Sequence, residues 1–141
     1  MNISSELLGE LLAHVQQDPA NECCGVIAVD AGSQADGTAR AVRVLRATNI
    51  HASPLKFEID PDELLHLWKE IEGEGAELGG IYHSHVRSAP YPSQTDVNFA
   101  ANWPGVEWVI VGLSAGSAPE VRSYVIDGGV VREVPVGEGV R

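Results

Sequence analysis

Gly79-Gly80-Ile81-Tyr82-His83-Ser84-His85-Val86-Arg87-Ser88-Ala89-Pro90-Tyr91-Pro92-Ser93-Gln94-Thr95-Asp96 is the stretch on which the reading of this chain turns. Its apolar first part reads as a strand, its two prolines as a loop, and Ser93 as a helix start. A strand repeats every two residues, so His83 and His85 project from one face, the face that also carries inward-pointing Ile81. Two neutral imidazoles packed together without an ion leave ring nitrogens unpaired and repel on protonation. A metal ion resolves both problems. Asp96, one turn into the following helix, is the best third ligand, and two His plus one carboxylate leave a tetrahedral metal one open position. Ser93 and Asp96 also fit a plain capping box, with Ser at the cap and an acidic residue three later. Periodicity does not decide between the two readings.

Outward from this stretch, Leu7, Leu8, Leu11, Leu12 and Val15 mark one face of a helix, capped by Ser4 or Ser5 and ended by Asp18-Pro19. Residues 23–29 read as a buried strand, 31–39 as a hairpin loop and 41–45 as the returning strand. A short strand is expected over 55–59. It runs into a helix with Asp60 as cap, Pro61 at the first helical position and Glu63 closing a capping box. Leu64, Leu65, Leu67, Trp68 and Ile71 supply that helix's apolar face. Residues 76–85 form a strand unit and 93–102 a short helix. Residues 107–113, 121–126 and 130–134 are further strands, the last two joined by a hairpin at Asp127-Gly128-Gly129. The expectation is an α/β fold with a mixed sheet of about six strands flanked by three helices, in a single domain over 1–141.

The chain of 141 residues carries 9 Lys+Arg against 20 Asp+Glu, a formal net charge of -11. That sign and the absence of a basic cluster argue against nucleic acid or an anionic membrane as partner. No apolar run approaches the roughly 20 residues of a membrane span, and no basic region precedes the first leucines, so a cytoplasmic location is expected. The adjacent Cys23 and Cys24 do not suit a structural disulfide. By itself Glu22, just before the 23–29 strand, reads as an ordinary surface glutamate. A Cys23 or Cys24 thiolate with a histidine base is a second reading of the same residues. His14, His51 and His66 are weaker ligand candidates; His14 and His66 lie on amphipathic helices.

Taken together, Glu22, His83-Ser84-His85, seven residues, Ser93, two residues and Asp96 resemble the JAMM (MPN+) metalloprotease signature, with every position filled. Asn21-Glu22-Cys23-Cys24-Gly25-Val26, the Asn49-to-Pro54 segment, the unit from Phe57 to Leu65 and Tyr91-Pro92-Ser93-Gln94-Thr95-Asp96 resemble the small stand-alone bacterial members, over roughly residues 3–134. The resemblance implies a cytidine-deaminase-like layering and one zinc ion per chain held by His83, His85 and Asp96, with iron or manganese as other ions such ligands accept. It implies Glu22 as the proton shuttle and Ser93 as donor to the oxyanion. It also implies a substrate: the amide bond after the C-terminal Gly-Gly of a small ubiquitin-like sulfur-carrier protein, with cysteine released in cysteine biosynthesis. A zinc hydrolase of another small peptide or amide, and a non-catalytic MPN interaction module, are the alternatives.

Overall fold

A computed structural model describes residues 1–33, 38–114 and 118–139. The first helix, α1 (Ser5–Val15), begins where the Ser4 hydroxyl accepts the Leu7 N–H, and it buries Leu11 and Val15. Two strands follow, β1 (Cys24–Asp30) and β2 (Ala41–Ala47), then α2 (Pro61–Gly73) and the long β3 (Ala76–His85). After the loop comes α3 (Gln94–Ala100), then β4 (Glu107–Gly112), β5 (Glu120–Asp127) and β6 (Val130–Val134). The strands form one sheet in the order β2-β1-β3-β4-β5-β6. Only the β3–β4 pair is parallel, because the chain crosses over through α3 between them. The mixed six-stranded sheet with three helices is the expected architecture.

Alternation along the strands divides the core in two. Cys24, Val26, Leu45, Ile81, Trp108, Ile110 and Tyr124 face α2 and α3, packing with Leu67, Ile71 and Ala100. Ile27, Val29, Tyr82, Val109 and Val111 face the other way, against Leu11 and Val15 of α1. On that second side the α-ammonium of Met1 lies 3.0 Å from the buried Glu107 carboxylate, which also accepts the Ser123 hydroxyl at 2.9 Å. At the last hairpin, Gly128 and Gly129 adopt φ of 57° and 81°, the left-handed pair that a two-residue turn between twisted strands requires.

Several expectations are corrected. Residues 55–59 make no strand: only Ile59 pairs, in an isolated bridge to Asn49, because the Asn49 side chain takes up the loop's backbone groups instead. Glu63 does not close a capping box. Asp60 alone accepts the Asp62 and Glu63 N–H groups, while the Glu63 carboxylate accepts the Thr48 N–H at 2.9 Å. Leu65 and Trp68 are 44% and 41% exposed rather than core, since one sheet contacts only one stripe of α2. Of the expected 31–39 hairpin loop, residues 34–37 lie outside the described residues.

Gly25 shows how tightly the sheet meets its cover. A Cβ built there would overlap the Tyr82 ring, which reaches across the Gly25 backbone and hydrogen-bonds through its hydroxyl to His14 Nδ1 at 2.6 Å. Gly25→Ala should therefore lower stability by about 2 kcal/mol and the melting temperature by roughly 5 °C in calorimetry. An unchanged melting temperature would show that the ring is free to move aside.

Candidate active site

The carboxyl ends of β3 and β4 and the amino end of β1 meet at one edge of the sheet, on the α2–α3 side. In the antiparallel pairing of β1 with β3, Cys24 stands opposite His83. That register brings Glu22, two residues before Cys24, alongside the histidine pair. His83 is fully buried and His85 nearly so. Their Nε2 atoms lie 3.0 Å apart. Asp96 Oδ2 lies 3.3 Å from His83 Nε2 and 3.5 Å from His85 Nε2. Tetrahedral ligands about 2.0–2.1 Å from a metal are separated by roughly 3.4 Å, so these three atoms already form one face of such a tetrahedron. Glu22, His83 and His85 also offer ligand atoms all within 4.8 Å of one another, so the second carboxylate joins the same cluster.

The side chains are held by their neighbours. His85 Nδ1 lies 2.7 Å from the Ala89 carbonyl oxygen, which can only accept, so Nδ1 carries the proton and the Nε2 lone pair faces the cluster. Phe57 stacks on the His83 ring with centroids 4.3 Å apart and planes at 26°, and Trp108 meets it edge-on. His83 Nδ1 is buried without a partner. With both rings neutral and protonated at Nδ1, three atoms bearing lone pairs converge in an apolar enclosure, an arrangement that a cation satisfies.

Ser93 and Asp96 form the expected capping box, and the cap leaves Asp96 beside the histidines. Ser93 Oγ accepts the Asp96 N–H at 3.1 Å while Asp96 Oδ2 accepts the Ser93 N–H at 2.8 Å, a complete capping box on α3. The same Oδ2 faces both histidines. The Ser93 residue is exposed, and because its oxygen is the acceptor in the cap, its own proton is free to be donated.

Charge states follow from burial and contact. Burial would raise the Asp96 carboxyl, but the His83 and His85 imidazoles and the Ser93 N–H outweigh it and hold the group well below the usual carboxylate range. Burial pushes His83 down, toward the neutral form a ligand requires. His85 moves up: burial opposes protonation, and bonds to Asp96 and the Ala89 carbonyl overcome it. Glu22 is 6% exposed, not a surface glutamate, and burial raises it to about 7, with His85 working against the shift and Asp96 with it.

Cys24 does face the histidines, but burial first and neighbouring acidic groups next push its thiol up to about 12. Cys23 points the other way, its Sγ 3.8 Å from the Val15 and Asp18 carbonyl oxygens, and burial raises it too. Burial thus favours the thiol form at both, which speaks against the thiolate-nucleophile reading. His14 is committed to Tyr82, His51 to Glu58, and His66 is an exposed residue of α2. The residue that sequence reasoning missed is Asn49, whose side chain reaches the Glu22 carbonyl. Its only signal was a place in a segment resembling the bacterial members.

The family model for prokaryotic homologues of the JAB domain matches residues 4–127. A CysO-cysteine peptidase from Mycobacterium tuberculosis is 36% identical over 134 residues, spanning 95% of this chain and 88% of its own. A desampylase from Haloferax volcanii is 33% identical over 115 residues, 78% of each chain. A solution structure of a protein from Desulfitobacterium hafniense, 29% identical, has a TM-score of 0.79 over 99% of this chain and 94% of its own. With the match covering most of its length, the chain belongs to the prokaryotic homologues of the JAB domain, and it is a peptidase of that family.

Proposed function

We propose that the protein is a zinc-dependent peptidase that hydrolyses the amide bond after the C-terminal Gly-Gly of a small ubiquitin-like sulfur-carrier protein, releasing cysteine. The observation that carries the metal-hydrolase part is the convergence of His83 Nε2, His85 Nε2 and Asp96 Oδ2 within 3.5 Å, with the Glu22 carboxylate beside them. The carrier part leans on the likeness to the CysO-cysteine peptidase, which extends over 95% of this chain.

His83, His85 and Asp96 hold the ion in this reading, and Glu22 stays off it. Asp96 suits the ligand role because the cap fixes its carboxylate from the helix side before any metal arrives. When bound, zinc supplies Lewis acidity, polarising a carbonyl and making water acidic near neutral pH. Glu22 then takes a proton from the attacking water and delivers it to the departing nitrogen as the C–N bond breaks. The Ser93 hydroxyl donates to the carbonyl oxygen as charge builds on it. Phe57 and Trp108 keep bulk water away from the imidazoles. A Gly-Gly tail suits such a site, since glycine lets the chain pass close beside a metal without side-chain collision.

Two experiments test this. Mass spectrometry of the purified protein should find about one zinc per chain. His83→Ala should lose the metal and the activity together. Glu22→Ala should keep the metal and lose about 100- to 10,000-fold in kcat. Near-normal turnover in Glu22→Ala would remove the proton shuttle from the reading. Separately, a folded carrier extended by Gly-Gly-Cys should be cut and a short free peptide with the same tail should not. Equal cleavage of both would make the enzyme a general small-peptide hydrolase.

A further inference from the structure

The loop that replaces the expected 55–59 strand is organised around one side chain. Asn49 uses its whole amide: Oδ1 accepts the His51 and Glu58 N–H groups, both at 3.1 Å, and Nδ2 donates to the Lys56 and Glu22 carbonyl oxygens, both at 3.0 Å. Three of these bonds fold the loop on itself and the fourth leaves it. The Asn49 backbone joins in, its carbonyl accepting the Ala52 N–H, and Ala52 sits at φ 44°, a left-handed conformation that alanine rarely adopts. The folded loop then reaches the site twice more. The Ser53 carbonyl accepts the Glu22 N–H at 2.8 Å, and the Phe57 ring stacks on His83.

We propose that Asn49 is a positioning residue for the reaction: it clamps the Glu22 peptide unit to the loop that braces His83, and so fixes the carboxylate relative to the metal ligands. This rests on the role given to Glu22 above. Glu22 lies two residues before β1, outside its ladder; the Ser53 carbonyl holds its N–H, and the Asn49 amide is the group that holds its carbonyl and so fixes the peptide unit on the other side of its Cα. Asn49 touches no reacting atom. Its contribution is to turnover rather than to metal binding, since His83, His85 and Asp96 are held by β3 and α3.

Asparagine offers a variant that splits the clamp in half. Asn49→Asp keeps the acceptor for the His51 and Glu58 N–H groups but no longer donates to the Lys56 and Glu22 carbonyls, whereas Asn49→Ala loses all four bonds. Amide hydrogen exchange on the metal-free protein should show the Cys23 N–H, which shares a peptide unit with the Glu22 carbonyl, losing protection in both variants, and the Glu58 N–H losing it only in Asn49→Ala. On a folded carrier ending in Gly-Gly-Cys, both variants should keep about one zinc per chain and a KM within about threefold, while kcat falls about 10- to 100-fold. Unchanged exchange at the Cys23 N–H, or full kcat per zinc in Asn49→Ala, would overturn the proposal. So would loss of zinc in Asn49→Asp, because the residue would then serve the ligands. Glu22→Ala in the same assay separates the two levels: if it is fully active, the role of Glu22 fails before that of Asn49 is tested.

Discussion

The site depends on the register of β1 against β3. With Cys24 opposite His83, Glu22 falls beside the imidazoles and both histidines face α3. A slip of one residue would turn His83 and His85 toward α1 and leave Asp96 without partners. The register is pinned at its functional end by Ser84, whose hydroxyl accepts the Cys23 N–H at 2.9 Å and whose own N–H donates to the Cys23 carbonyl at 3.0 Å. A hydroxyl between two histidines thus has a physical reason: it lies on the opposite strand face, out of the metal's reach, and clasps the residue next to Glu22. Gly25 acts in the same sense, since only a residue without a side chain lets the Tyr82 ring lie across it.

Asp96 and Ser93 each work twice. A cap is usually an economy of the helix alone, satisfying N–H groups that have no partner inside it. Here the carboxylate that satisfies the Ser93 N–H is also the one facing His83 and His85. Its negative charge is stabilised from both sides, by the helix start and by the imidazoles, and so it is ionised where an isolated buried carboxyl would be neutral. The serine gains as well. Its oxygen is committed as acceptor in the cap, and its own proton is left to donate.

Much of this was legible in the sequence because it rests on local rules. The period of two gave the shared face of His83 and His85, and the Ser93–Asp96 spacing matched a cap. What was not legible depends on distant contacts. Glu22 reads as a surface residue because nothing nearby says that a loop 30 positions on will cover it. Residues 55–59 alternate well enough for a strand, yet Asn49 offers their backbone a side-chain partner, and a strand needs a backbone one. Glu63 sits three residues after its cap, where a capping box is the default, but the Thr48 N–H at the end of β2 competes for its carboxylate and wins. Glu107, in an otherwise apolar strand, found its partner at Met1.

The division between legible and illegible parts follows the chemistry. Metal ligands must hold fixed distances, and regular elements supply these for the proposed set, a strand for the histidines and a capped helix for the aspartate. A carboxylate that carries protons near neutral pH has another requirement, burial, since in water it would ionise at far lower pH. Burial next to the open position of a metal has to come from something shaped to the site, and an irregular loop has that freedom where a strand does not. Such a loop leaves its own backbone groups without ladder partners, and each buried one costs free energy. A single asparagine, with two donors and one doubly accepting oxygen, answers three of them and the Glu22 carbonyl as well. The polar centre of the 49–58 loop is therefore the structural counterpart of the raised Glu22 carboxyl: the buried carboxylate requires the cover, and the cover requires the amide.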